Sequence, residues 1–117
     1  MAKQEGEDSL MAFRIKTNDT SPKLAVTLQD ANSVPVNISG ATVRFHMKAF
    51  GATSLKTDAP MTITNATGGI VQYSWVAADT NLAGTYYGEV EVTYPDSTIE
   101  TFPNNGYFTI IVKEDLD

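Results

Sequence analysis

The sequence predicts an all-β protein, an antiparallel β-sandwich of seven or eight strands with no disulfide. Apolar and polar residues alternate in about eight runs of roughly five to nine residues, and each run ends at Gly, Pro, Asn or Asp. A period of two is typical of half-buried strands, because successive side chains leave opposite faces of a pleated strand. The 117-residue chain contains no cysteine, which excludes disulfides, thiolate metal sites and a cysteine nucleophile.

Turn-forming residues separate the strands predicted in the first half of the chain. Residues 18–22, Asn-Asp-Thr-Ser-Pro, end the first strand, and residues 30–33 end the second. Pro35 restricts the extended residues 34–36 to a sheet edge. Residues 51–59 are polar and irregular, and we expect them to cross between the two sheets. The strands predicted in this half are 13–17, 23–29 and 42–49.

The second half carries the longest alternating run. Residues 65–69, Asn-Ala-Thr-Gly-Gly, and the pair Pro95-Asp96 predict tight turns. Residues 77–83 form the one stretch with helical character, predicted as a single turn capped by Asp79. Turn signals that recur this often indicate a sandwich or a barrel. The strands predicted in this half are 61–63, 70–76, 84–94, 99–102 and 107–113.

Three residues near the start of the long strand indicate that the sandwich is immunoglobulin-like. Asp79, Gly84 and Tyr86 match the order of a tyrosine corner, in which a tyrosine hydroxyl bonds back to the backbone near the start of the sixth strand. The chain lacks the cysteines of the usual disulfide. Trp75 is predicted to fill the core and to need a hydrogen-bond partner for its ring nitrogen.

Charge is unevenly distributed along the chain, whose net charge is −6. Residues 11–58 carry six basic and three acidic groups, whereas residues 59–117 carry one basic and eight acidic groups. We predict cross-strand ion pairs between outward-facing basic residues of one strand and acidic residues of its neighbour. The negative net charge disfavours nucleic acid as a partner. The predicted pairing sets are Arg44, His46 and Lys48 against Glu89 and Glu91.

Several aromatic and apolar residues are candidates for an interface. Exposed aromatic rings bind partner proteins or stack on sugars, and we favour a protein interface. A carbohydrate-binding or adhesin domain is the alternative, which two coplanar rings on a concave face would support. The candidate interface residues are Phe50, Tyr87, Phe102, Tyr107, Leu10 and Phe13.

No combination of residues in the sequence predicts catalysis. His46 is the only histidine, and alternation places it on the surface without a neighbouring nucleophile. The turn aspartates do not form an alternating acidic loop of the kind that binds calcium. We therefore predict no catalytic residue, no metal and no cofactor. No apolar run approaches the roughly 18 residues of a membrane helix, so a membrane partner is not expected.

The expected organisation is one domain with short extensions. Residues 1–11 are predicted to be an N-terminal arm, flexible or docked on a partner, residues 12–114 the sandwich, and residues 115–117 a C-terminal tail. The arm is charged and has no apolar stretch, so it is not expected to be a signal peptide. Met11 is a possible alternative start.

The order of elements resembles a known phage family. The segments that carry the resemblance are Phe13 to Leu24, Thr27 to Asp30, Pro35 to Met47, Ala83 to Tyr86, Glu89 to Tyr94 and Glu100 to Ile110. They are similar to the N-terminal immunoglobulin-like domain of phage baseplate upper proteins and related small tail proteins. The resemblance spans residues 13–113 and consists of strand patterns and turns rather than a chemical motif.

The resemblance implies a non-catalytic structural protein of the virion. It would fix one tail or baseplate component, or a head component, to another by protein–protein contacts, with other phage structural proteins and further copies of itself as partners. Assembly would take place in the cytoplasm of the bacterial host. An adaptor, a decoration subunit or an assembly factor is an alternative within the same class.

Overall fold

Two facing β-sheets form the fold of the computed structural model, which describes residues 2–4 and 12–116. Within those residues the chain forms ten strands and a 3₁₀ turn at Ala77–Asp79. The strands are β1 (Ala2–Gln4), β2 (Phe13–Lys16), β3 (Leu24–Leu28), β4 (Thr42–Ala49), β5 (Thr57–Pro60), β6 (Thr62–Asn65), β7 (Ile70–Tyr73), β8 (Gly84–Thr93), β9 (Ile99–Phe102) and β10 (Phe108–Lys113). The prediction of an all-β sandwich is confirmed, with more strands than the seven or eight expected.

The longest strand, β8, organises the larger sheet. That sheet runs in the order β2-β10-β8-β4-β5, and the smaller sheet runs β1-β3-β7-β6. Strand β4 pairs with most of β8 on one side, while β10 and β9 pair with its first and second halves on the other. The pairing of β2 with β10 is parallel, and the other strand pairs are antiparallel.

The core contains the inward-facing residues that the alternation predicts. On β8 the burial alternates along the strand, so that Tyr86, Val90 and Val92 point inward. Gly88 takes the remaining inward position, where a Cβ atom would lie 2.7 Å from the Cδ1 of Ile110. The other predicted sets that are fully buried are Leu24, Val26 and Leu28; Val43, Phe45 and Met47; Val71, Tyr73 and Trp75; and Ile110 and Val112.

Two strands lie where the sequence analysis predicts none. Strand β5 occupies the end of the segment expected to be an irregular crossing, because Thr57 and Ala59 pair with Met47 and Phe45 of β4. Strand β1 pairs antiparallel with β3, although the sequence predicts no strand before Phe13. The rest of the predicted arm, residues 1 and 5–11, lies outside the described residues, as does Asp117 of the predicted tail.

The predicted tyrosine corner is confirmed. The hydroxyl of the buried Tyr86 donates a hydrogen bond of 2.6 Å to the carbonyl oxygen of Leu82. This bond spans four residues and ties the start of β8 to the loop that precedes it. Trp75 is buried as predicted, between Phe13 and Tyr73, but its Nε1 has no hydrogen-bond partner among the described residues.

A buried carboxylate joins three segments at the same end of the sandwich. Asp79 accepts hydrogen bonds from the hydroxyls of Thr57 and Tyr73, at 2.8 and 2.7 Å, and from the backbone N–H of Val76 at 2.9 Å. Burial, together with the bond to Asp79, raises the pKa of the Tyr73 hydroxyl. Asp79 therefore caps the 3₁₀ turn from its third position, and also connects β5 with β7.

We expect the substitution Asp79→Ala to destabilise the protein by about 3 kcal/mol, because it leaves buried donors without an acceptor. The matched control is Asp96→Ala, which removes an exposed turn aspartate that accepts bonds from Thr98 alone. The control should cost about 1 kcal/mol or less. Urea unfolding followed by tryptophan fluorescence measures both. Equal losses of stability in the two variants would contradict the role assigned to Asp79.

Candidate docking surface

Three aromatic side chains, two exposed and one half-buried, form a continuous cluster on the outer face of the larger sheet. Tyr87 stacks on Tyr107 with ring centroids 5.3 Å apart and an interplanar angle of 16°. Phe50 meets Tyr87 edge to face with centroids 5.7 Å apart. Phe50 is 69% exposed and Tyr107 is 60% exposed. We call Phe50, Tyr87 and Tyr107 the aromatic surface.

The strand order of the larger sheet brings these rings together. Tyr87 points outward because its neighbours Tyr86 and Gly88 point into the core. Phe50 follows the last residue of β4, which pairs with Tyr86. Tyr107 precedes β10, whose first residue pairs with Gly88. Because β4 and β10 flank β8 on opposite sides, residues distant in sequence meet on one side of the sheet.

A shallow groove of about 380 Å³ runs beside the aromatic surface. The rings of Tyr87 and Tyr107 and the exposed side chain of Leu55 supply its apolar lining. His46, Lys48 and Glu89 supply polar groups of both signs. On the other side of Tyr87, the exposed Leu82 lies in the same depression as Phe50. The groove therefore combines apolar and charged lining groups.

The outer charges share one face, as predicted, but the ion pairs differ from those expected. Arg44 lies opposite Glu91, and His46 opposite Glu89. The Arg44 Nε instead lies 2.8 Å from the Oδ1 of Asp58, and the His46 Nε2 lies 3.2 Å from the same oxygen. The prediction of pairs with Glu89 and Glu91 is therefore wrong, because β5 places a carboxylate on the opposite side of β4.

Arg44 also forms a hydrogen bond with the backbone of the edge strand β5. An Arg44 guanidinium nitrogen, Nη2, donates a bond of 3.0 Å to the carbonyl oxygen of Asp58. Ladder bonds alternate along an antiparallel pair, so the backbone groups of Asp58 and Pro60 face away from β4. Pro60 has no N–H to offer on that side.

Not all the predicted interface residues are available to a partner. Phe13 stacks on Trp75 and is only 6% exposed, and Phe102 is fully buried. Both predictions are therefore corrected, since both residues belong to the core. Phe102 pairs with the inward-facing Val90, so the hairpin of β8 and β9 turns it inward. Leu10 lies outside the described residues.

Two exposed leucines lie beside the aromatic surface, and the sequence pattern does not indicate either of them. Leu82 is 65% exposed and Leu55 is 47% exposed. Both lie in segments between strands, where no alternation indicates which way a side chain points. Only the closeness of Leu82 to the predicted tyrosine corner could have drawn attention to it.

Within residues 2–4 and 12–116, no three His, Cys, Asp or Glu side chains come together as metal ligands would. Asp30 and Asp96 act on their own turns instead. Asp30 accepts bonds from the backbone of Asn32 and Val34. Hydrogen bonds from Thr98 lower the pKa of Asp96. The same described residues include no helix with the length and apolar character needed to cross a membrane.

Comparison with known proteins gives one family and a shared fold. The family model described as the BppU N-terminal domain matches residues 3–117. The N-terminal domain of phage TP901-1 ORF48 has a similar structure, with a TM-score of 0.62 and 15% identity over 88% of this chain and 85% of that one. CopC from Methylosinus trichosporium OB3b has a TM-score of 0.52 and 8% identity over 100% of this chain and 98% of that one. At such identities the structural likeness shows the fold alone. Curated protein sequences give no significant match.

We expect Asp58 to titrate below its ordinary value of 3.8, because the hydrogen bond from Arg44 lowers its pKa. Because the pKa of Asp58 is lower in the folded state than in the unfolded state, its pair with Arg44 stabilises the fold at pH values above the unfolded-state pKa. This stabilisation is lost as the pH falls through the folded-state pKa. Carboxyl NMR titration measures the shift. In Arg44→Gln the pKa of Asp58 should move back toward 3.8, while that of Asp96 stays unchanged. An Asp58 titration unaffected by the substitution would contradict this assignment.

Proposed function

The chain belongs to the family of BppU N-terminal domains, those of phage baseplate upper proteins, and on this premise we propose that it docks onto other phage structural proteins through the aromatic surface. Membership gives the chain a phage structural role and a place in the virion. The proposal adds the contact surface, the non-catalytic character of the domain and its assembly in the cytoplasm of the bacterial host.

The exposed aromatic cluster is the observation that carries the proposal. Phe50, Tyr87 and Tyr107 contact one another, so their exposed area forms one patch rather than isolated rings. Contiguous exposed apolar patches on soluble proteins mark interaction sites. Tyrosine and other aromatic residues are enriched among the side chains that contribute most to protein–protein binding.

The surroundings of the patch favour a protein partner with an apolar anchor. The groove lined by Leu55 and Tyr107 has a volume of about 380 Å³, enough to receive an apolar side chain. Lys48 and Glu89 also line it, so that a partner could match both signs of charge. Apolar groups combined with charged ones are typical of a specific protein interface.

The stacking of the tyrosine rings does not support the alternative of a carbohydrate-binding domain. A sugar stacks on an open ring face, and coplanar rings would present two such faces side by side. Tyr87 and Tyr107 instead direct one face of each ring toward the other. The rings therefore favour an interface in which side chains surround the cluster.

We propose that the sandwich of residues 12–114 is the docking body. The antiparallel pairing of β1 with β3 supports a contribution of residues 2–4 to the edge of the smaller sheet. Residues 115–117 would continue from β10 as a tail.

Truncation of the aromatic rings should impair incorporation into particles. Each of Phe50→Ala, Tyr87→Ala and Tyr107→Ala is expected to cost about 2 kcal/mol of binding, a loss of about 30-fold in affinity. The assay uses tails purified from phage that lack this protein, incubated with wild-type or variant protein. Bound copies are then counted by quantitative mass spectrometry.

The matched control is Ile99→Ala. Ile99 is 62% exposed on the same sheet but pairs with Thr93, at the far end of β8 from Tyr87. This variant should bind as the wild type does, and all four variants should remain folded at the temperature of the assay, as their thermal unfolding curves would show. Wild-type binding by the three aromatic variants would refute the proposed docking surface.

A further inference from the structure

The loop between β9 and β10 contains the only Asn-Gly pair in the sequence, Asn105-Gly106. An asparagine side chain can react with the backbone nitrogen of the residue that follows it. Glycine hinders this attack least, because it has no Cβ and adopts a wide range of backbone conformations. Asn105 is therefore the asparagine of this chain whose following residue most favours such a reaction.

The local structure leaves the reacting groups accessible. Asn105 and Gly106 are both exposed. Gly106 has a φ of +82°, and apart from the glycine itself and its two chain neighbours no residue has an atom within 4 Å of the position its Cβ would take. Hydrogen bonds between described residues involve neither the Asn105 side chain nor the Gly106 N–H. No hydrogen bond among the described residues therefore restrains either reacting group.

The preceding asparagine provides an internal contrast. The Asn104 side-chain nitrogen donates to a carboxylate oxygen of Glu100 at 3.2 Å and to the carbonyl oxygen of Thr101 at 3.0 Å. The residue after Asn104 is an asparagine rather than a glycine. The side-chain amide of Asn104 is therefore restrained by hydrogen bonds, and the side chain of the following asparagine hinders attack on it, although Asn104 lies in the same loop as Asn105.

We propose that Asn105 is a site of spontaneous deamidation. The backbone nitrogen of Gly106 attacks the Cγ of Asn105 and forms a new N–Cγ bond. The Cγ–Nδ2 bond breaks, and Nδ2 leaves as ammonia with the proton lost by Gly106. Water then opens the resulting succinimide at either carbonyl, giving aspartate or isoaspartate. The only co-reactant is water, and no group is oxidised or reduced.

The modification would place a carboxylate next to the aromatic surface. Asn105, Glu89 and Tyr107 line one depression at the edge of the larger sheet. A new negative charge beside Glu89 would disturb the balance of charges that a partner has to match, and the longer backbone of isoaspartate would alter the loop that leads to Tyr107. This consequence rests on the proposed function, whereas the reaction itself does not.

The reaction is tested by incubating the folded full-length chain at mildly alkaline pH and mapping its peptides by mass spectrometry. We expect a mass increase of one dalton on the peptide with Asn105, partly as isoaspartate that an isoaspartyl methyltransferase labels. The substitution Asn105→Ser should abolish this product, and Asn104→Ser should leave it unchanged. An unmodified Asn105 in a chain whose other asparagines have reacted would overturn the proposal.

The effect on docking is measured separately with Asn105→Asp in the tail-binding assay, where weaker binding than that of the wild type is expected. If the proposed docking surface is wrong, this variant and the aromatic variants will all bind normally, while the peptide map still decides whether Asn105 deamidates. If Asn105→Asp alone binds normally, the effect assigned to the new charge is refuted.

Discussion

The alternation of residues along β8 is the constraint on which both the core and the candidate surface depend. Its inward positions supply Tyr86, Val90 and Val92 to the core, so its outward positions must carry Tyr87 and its polar neighbours. A shift of register by one residue would exchange the two faces and bury charged groups. The hydrogen bond from Tyr86 to Leu82 anchors the start of the strand to the preceding loop, and the pairing with β4, β9 and β10 sets its register.

Much of the fold could be predicted from the sequence, because one face of each long strand is buried and the pattern records which one. The same reasoning could have placed Phe102, since the register of the β8–β9 hairpin sets it opposite Val90. Strand β5 could not be found in this way. Its sequence Thr-Asp-Ala-Pro has no apolar alternation, and its pairing is imposed by β4 at the sheet edge.

The candidate site was less predictable than the fold for a related reason. Phe50, Tyr87 and Tyr107 could each be selected as aromatics without a clear core position, but their contact depends on which strands lie beside β8. Likewise, the ion pair of Arg44 with Asp58 depends on a neighbour that local sequence does not indicate. The alternation in the sequence indicates on which face of its strand a residue lies, whereas the strand order determines which residues of neighbouring strands come into contact.

The backbone groups at the edge strand β5 affect how this domain can contact other protein chains. An unpaired strand edge can pair with a strand of another molecule, so that the two sheets join into one. Here the outward carbonyl of Asp58 is already engaged by Arg44, and Pro60 presents no donor. Strand addition from another molecule is therefore disfavoured at these two residues of the edge, which leaves side-chain contacts as the favoured means of recognition there.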